Sequence, residues 1–182
     1  TQAASFQSQM QNVGTLLDGD VQGKLQGMSK QLKQVSIDTG AATSDLTDGL
    51  YQVVSAFGES AESVKQLEIA AKAAKAGNAT TTDSVNMLSA VTKGYGDTSA
   101  AALQKASDLA FLTVKLGQTS FPELASSMGQ VVPLAATMKV SQEELFGAMA
   151  TLTGVTGGTA EVTTQLRATM QEFLSPSSQM EK

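Results

Sequence analysis

The groups that could carry acid–base or nucleophilic chemistry in this 182-residue chain are narrow in kind. There is no His and no Cys, which removes the commonest general base, the commonest metal ligand, the thiolate nucleophile and any disulfide. Seventeen acidic residues remain, and carboxylate pairs such as Glu143 with Glu144 or Asp45 with Asp48 follow from that abundance. Each pair falls near the start of a helical stretch, where the helix dipole favours negative charge, so capping accounts for them. A serine hydrolase without His needs Lys or a terminal amine as base, and Ser29-Lys30 and Ser63-Val64-Lys65 lack the Ser-x-x-Lys spacing. Gly154, Gly157 and Gly158 do not make a phosphate loop, because no strand precedes them and no Lys with Ser or Thr follows; they read as helix terminators. Asn78-Ala79-Thr80 matches a glycosylation acceptor, but it falls in a turn between helices. We expect no enzyme, with no catalytic, cofactor-binding or metal-binding residue and no cofactor.

The elements that hold these residues are helical. Apolar positions recur with a period near 3.6, not 2: Leu46, Leu50, Val53, Val54 and Phe57; Val64, Leu67, Ala71 and Ala74; Leu103, Ala106, Ala110 and Val114; Leu145, Met149 and Leu152; Val162, Leu166, Met170, Phe173 and Leu174. Glycine punctuates the chain at Gly40, Gly58, Gly77, Gly96 and Gly117, intervals that fit a helix plus a turn. Capping clusters follow most of these breaks: Thr43 and Ser44, Glu59 and Ser60, Thr80 to Thr82, Thr98 and Ser99. Ser120 with Glu123 and Ser141 with Glu144 have capping-box spacing, and Pro122 sits just inside the first of those starts. Pro133 should kink or stop its helix near Val132. The expected fold is all-α, a bundle or irregular array of about 7–9 short helices joined by Gly-containing turns.

Upstream, Phe6, Met10, Val13 and Leu17 form one stripe. Val21, Leu25, Met28, Leu32 and Val35 form a second, with the four-three spacing of a coiled-coil seam. Asp18-Gly19-Asp20 turns the chain between them, and Gly23 and Gly27 weaken the second helix by roughly 1 kcal/mol each. We divide the chain into an N-terminal helical segment, 1–40, a helical core, 41–176, and a short tail, 177–182. The segment 1–40 docks on its own domain or self-associates as a homo-oligomer. Thr1 in place of Met reads as part of a longer chain.

Composition bounds the partners. Hydrophobic residues make up 41% of the chain but aromatics only 4%, with eight Met and no Trp, so helices can approach closely while each side chain buries little. The net charge is −5, with Arg167 the one arginine, which argues against direct, sequence-specific nucleic-acid binding. No apolar stretch approaches the roughly 20 residues of a membrane span.

LAFLTVKLGQTSFPELASSMGQVVPLAA, from Leu109 to Ala136, together with Lys139-Val140-Ser141-Gln142-Glu143-Glu144-Leu145, resembles the centre of the core region of bacteriophage tail tape-measure proteins, the minor tail proteins of phages. The stretch from Leu152 to Ser177, carried by Thr164, Leu166, Arg167, Leu174 and Pro176, is similar to that family's closing block. Gly49–Gly58 and Ala70–Gly77 stand in the expected order. The resemblance runs from about Phe6 onward. It implies a structural protein of a phage or prophage tail that sets tail length and takes part in tail assembly and genome ejection. Its implied place is the lumen of the tail tube in the virion, and the host cytoplasm during assembly. Its implied partners are the tail tube and tail-completion or baseplate proteins. The alternative is a membrane-permeabilising or pore-forming helical domain acting during envelope penetration; against it, no stripe sets Lys or Arg opposite bulky apolar residues.

Overall fold

Short amphipathic segments with little aromatic content bury their stripes by stacking on one another. In the computed structural model, which describes residues 2–175, the helices are α1 (Gln2–Gly14), α2 (Val21–Thr39), α3 (Thr43–Phe57), α4 (Ser63–Gly77), α5 (Thr81–Tyr95), α6 (Ala100–Leu116), α7 (Phe121–Thr137), α8 (Gln142–Thr156) and α9 (Thr159–Leu174). No strand occurs among the described residues. The all-α array is therefore as expected. Thr1, Pro176 and the tail 177–182 lie outside the described residues.

The packing has an order that the sequence stripes did not reveal. Helices two apart along the chain stack together, so α1, α3, α5, α7 and α9 form one layer and α2, α4, α6 and α8 a second. Consecutive helices join the layers, and every substantial contact links helices one or two apart. This is the arrangement by which α-solenoids stack helix pairs. A continuous core runs between the layers, from Met10, Val13 and Leu32 through Leu50, Leu67, Leu88 and Leu103 to Leu124, Met149 and Val162. The seam on α2 belongs to it: Leu25, Met28, Leu32 and Val35 are buried as α2 packs on α1, α3 and α4.

Close approach depends on missing side chains at two positions above all. A Cβ on Gly77 would stand 2.6 Å from Cβ and Cγ of Phe121, and one on Gly49 would strike Thr81. Both separations are below what real atoms tolerate, so these glycines set how near α4 comes to α7 and α3 to α5.

Several local expectations need correction. α7 neither stops nor restarts near Val132 but runs through Pro133 to Thr137. Val131, Val132 and Ala135 around the proline are fully buried, and that packing outweighs the lost amide bond. Gly154 lies inside α8, and only Gly157 and Gly158 break the chain there. The cap of α3 is Ala42, not Thr43 or Ser44, with no side-chain bond. The start of α4 slips past Glu59 and Ser60 to Glu62, because Ser63 Oγ accepts from the Ser60 amide and holds a turn first. The joint between α7 and α8 contains no glycine; Lys139 takes the left-handed conformation there, φ 60°. Phe173 and Leu174, assigned to the last stripe, are exposed.

Candidate functional site

The carboxylates that looked like chance pairs have separate structural duties. Glu144 closes a capping box: its amide donates to Ser141 Oγ at 3.2 Å and its carboxylate accepts from the Ser141 amide at 2.8 Å. That backbone bond, helped by the Ser141 hydroxyl, holds the Glu144 pKa below its ordinary value. Its neighbour Glu143 turns away to Lys105 of α6 at 2.7 Å, and the Lys105 hydrogen bond lowers its pKa too. Ser120 and Glu123 form the second box, as their spacing indicates.

Asp45 departs from the expected role. It stands in the first turn of α3, but its carboxylate reaches across to α5, accepting from the Thr81 amide at 3.2 Å and from the Thr81 hydroxyl. It thus satisfies an orphan donor at the N-terminus of another helix. Thr80 caps the same helix from within, accepting from Asp83 N at 3.0 Å. The spacing of Asp45 and Asp48 gave no sign of this, because Thr81 is 36 positions away and only the stacking of α3 on α5 brings it near.

The remaining candidates do not converge. Ser29 and Lys30 lie on α2, Ser63 and Lys65 on α4. Ser63 is buried as a turn acceptor, while Lys65 joins Lys72 around Glu68 on the same helix. The Lys72 bond is the main cause that keeps the Glu68 pKa low. Asn78 is the left-handed cap of α4, φ 53°, and Thr80 the cap of α5, so the acceptor-like triplet is a joint. No group of three or more Asp or Glu able to hold a metal ion occurs among the described residues.

The surface offers shallow features. A polar groove of about 490 Å³ runs between α1 and α3, lined by Gln9, Asn12, Asp48, Tyr51 and Gln52 among others. An apolar trough of about 160 Å³ between α6 and α8 exposes Leu112 and Leu116 over Phe146 and Gly147. Lysines gather on α2, α4 and α6, where Lys24, Lys65, Lys72 and Lys105 are each tied to a carboxylate. None of the described helices is long and apolar enough to cross a membrane. The arrangement presents helix faces and joints, and some of its ionisable groups tie one helix to another, as Glu143 does to Lys105 and Asp45 to Thr81.

No curated protein and no solved structure matches the chain. The family model described as phage-related minor tail protein matches residues 4–182. With nearly the whole length covered, the chain belongs to the phage-related minor tail protein family and is a structural tail component.

Proposed function

We propose that the chain is the core region of a tape-measure protein, which lies in the lumen of the tail tube, sets the tube's length during assembly in the host cytoplasm, and leaves before or with the genome at ejection. On this reading its partners are the tube and the tail-completion or baseplate proteins, and the tail's interior is its place in the virion. The observation that carries the reading is the sequential stack: each helix leans mainly on helices one or two away in the chain, so the array can be drawn out from an end with few long-range pairings to break. The folded array is not itself a straight ruler, and two dimensions show how far it would have to be drawn out. A continuous 182-residue helix spans about 270 Å at 1.5 Å per residue, whereas a globule of this size has a radius of gyration near 16 Å.

Two measurements test the proposal. In-frame insertions in the gene should lengthen assembled tails by about 1.5 Å per added residue if the segment is an extended helical ruler; tails of unchanged length reject the ruler. The easily opened version also requires ordinary stability, so an isolated domain that resists heat beyond about 90 °C, the hyperstable range, counts against passage by unfolding.

A further inference from the structure

The joint between α8 and α9 is unlike the others. It consists of two residues, Gly157 and Gly158, both glycine. Gly157 sits at φ 112°, ψ −137°, a conformation that side chains rarely adopt, while Gly158 has φ −58°, which any residue accepts. α2 through α7 and α9 each close with a cap amide bonded back to the last turn; α8 does not. α9 starts without a side-chain cap, whereas α5, α6, α7 and α8 each have one.

The two helices are also held unequally. α8 is anchored on α6 by Leu145, Phe146 and Met149, and Gly117 permits close approach to Ala150. α9 leans mainly on α7 and buries two large apolar side chains, Val162 and Met170, with Thr159 and Thr163. Its polar ties to the body include a hydroxyl pair, Thr159 with Thr119 at 2.7 Å, and an exposed Arg167–Gln130 contact at 3.4 Å. α8 packs on α6 more extensively than on α9, and α7 and α8 scarcely touch each other, so α8 keeps its main support when α9 leaves α7.

We infer that Gly157 and Gly158 form a two-residue hinge that switches α8 and α9 between the docked pair and a single straight helix, Gln142 to Leu174, about 50 Å long at 1.5 Å per residue. Bringing φ and ψ of Gly157 and ψ of Gly158, which stands at 139°, into the helical region places the amides of residues 157–160 opposite the carbonyls of residues 153–156. The bonds missing at both helix ends then form together. What opposes this is the exposure of Val162, Met170 and the α7 face beneath them. The hinge is a property of the chain by itself and stands or falls independently of the tape-measure reading.

Spin labels at Gln130→Cys and Arg167→Cys report the docking of α9, in a chain with no native Cys. In the Gly157→Ala/Gly158→Ala variant, alanine at 157 is strained in the docked joint, and alanine at both positions is favoured in a helix. The expected result is a shift of most of the label population to a longer separation with no loss of far-UV helicity. An unshifted distance overturns the hinge, and so does a shift accompanied by lost helicity, which means that α9 melts instead of straightening. Should that variant fail to fold, the same labels on the chain that keeps Gly157 and Gly158 decide: a second population at longer separation should stand beside the docked one, and a single short distance overturns the proposal.

Discussion

Gly77 and Gly129 are both helical glycines, yet they predict opposite outcomes. A methyl at Gly77 meets Phe121 at 2.6 Å, and that ring is buried and stacked on Phe111 with centroids 5.0 Å apart. Gly77→Ala should therefore destabilise the protein by about 1–3 kcal/mol through overpacking. Gly129 faces open space, so Gly129→Ala should stabilise it by up to about 1 kcal/mol. Urea midpoints for the two variants check both signs. Asp45→Ala removes the cross-helix cap of α5 and should cost about 1–2 kcal/mol in the same assay. Tyr95 has a buried hydroxyl with no hydrogen-bond partner, and burial, reinforced by Glu143 and Glu144, raises its pKa above the ordinary 10.0. The native state thus holds this proton more tightly than the unfolded chain. The contribution is fully present below about pH 10 and is lost as pH rises through the folded value. Tyr95→Phe should abolish that alkaline loss and leave neutral-pH stability equal or higher, because no bond is removed; a marked loss at pH 7 means the hydroxyl has a partner after all. At the acid end the sign reverses for Glu144, whose lowered pKa gives stability above the ordinary carboxylate range that disappears as pH falls through the folded value.

The elements themselves were largely readable, because their signals are local. Thr80, Ser99, Ser120 and Ser141 each precede an apolar stripe and each accepts the expected backbone bond. Ser120→Ala and Ser141→Ala should each cost about 1 kcal/mol, seen as a fall in thermal midpoint. The misreadings arose where tertiary packing outweighs a local rule. Pro133 is held in α7 by the buried Val132 and Ala135. A Cβ on Gly154 would only just reach the α6 end, at the Leu116 carbonyl and Gly117 Cα, and there the chain keeps its helix instead of breaking. Asp45 could not be paired with Thr81 from spacing, since that bond exists only once α3 lies on α5. The candidate chemistry was legible as far as residue types go; the layer order, which decides what each carboxylate touches, is not encoded in any stripe.

At the scale of the molecule, a stack in which helices lean on neighbours one or two apart should lose structure regionally. Leu145→Ala opens a cavity at a fully buried position and should cost about 2–5 kcal/mol locally. Hydrogen exchange should rise through α6, α8 and α9 while α1 to α4 keep their protection; uniform acceleration would show the array to be one cooperative unit. A last consequence concerns the interior threonines. Thr47, Thr92, Thr153 and Thr163 are buried, yet each donates its hydroxyl to the carbonyl four residues before it in its own helix. Their polarity is settled privately, without a counterpart on the next helix. A helix lifted from the stack therefore brings no unanswered hydroxyl of this kind into its new surroundings, and any surface offering shape and oil can receive it.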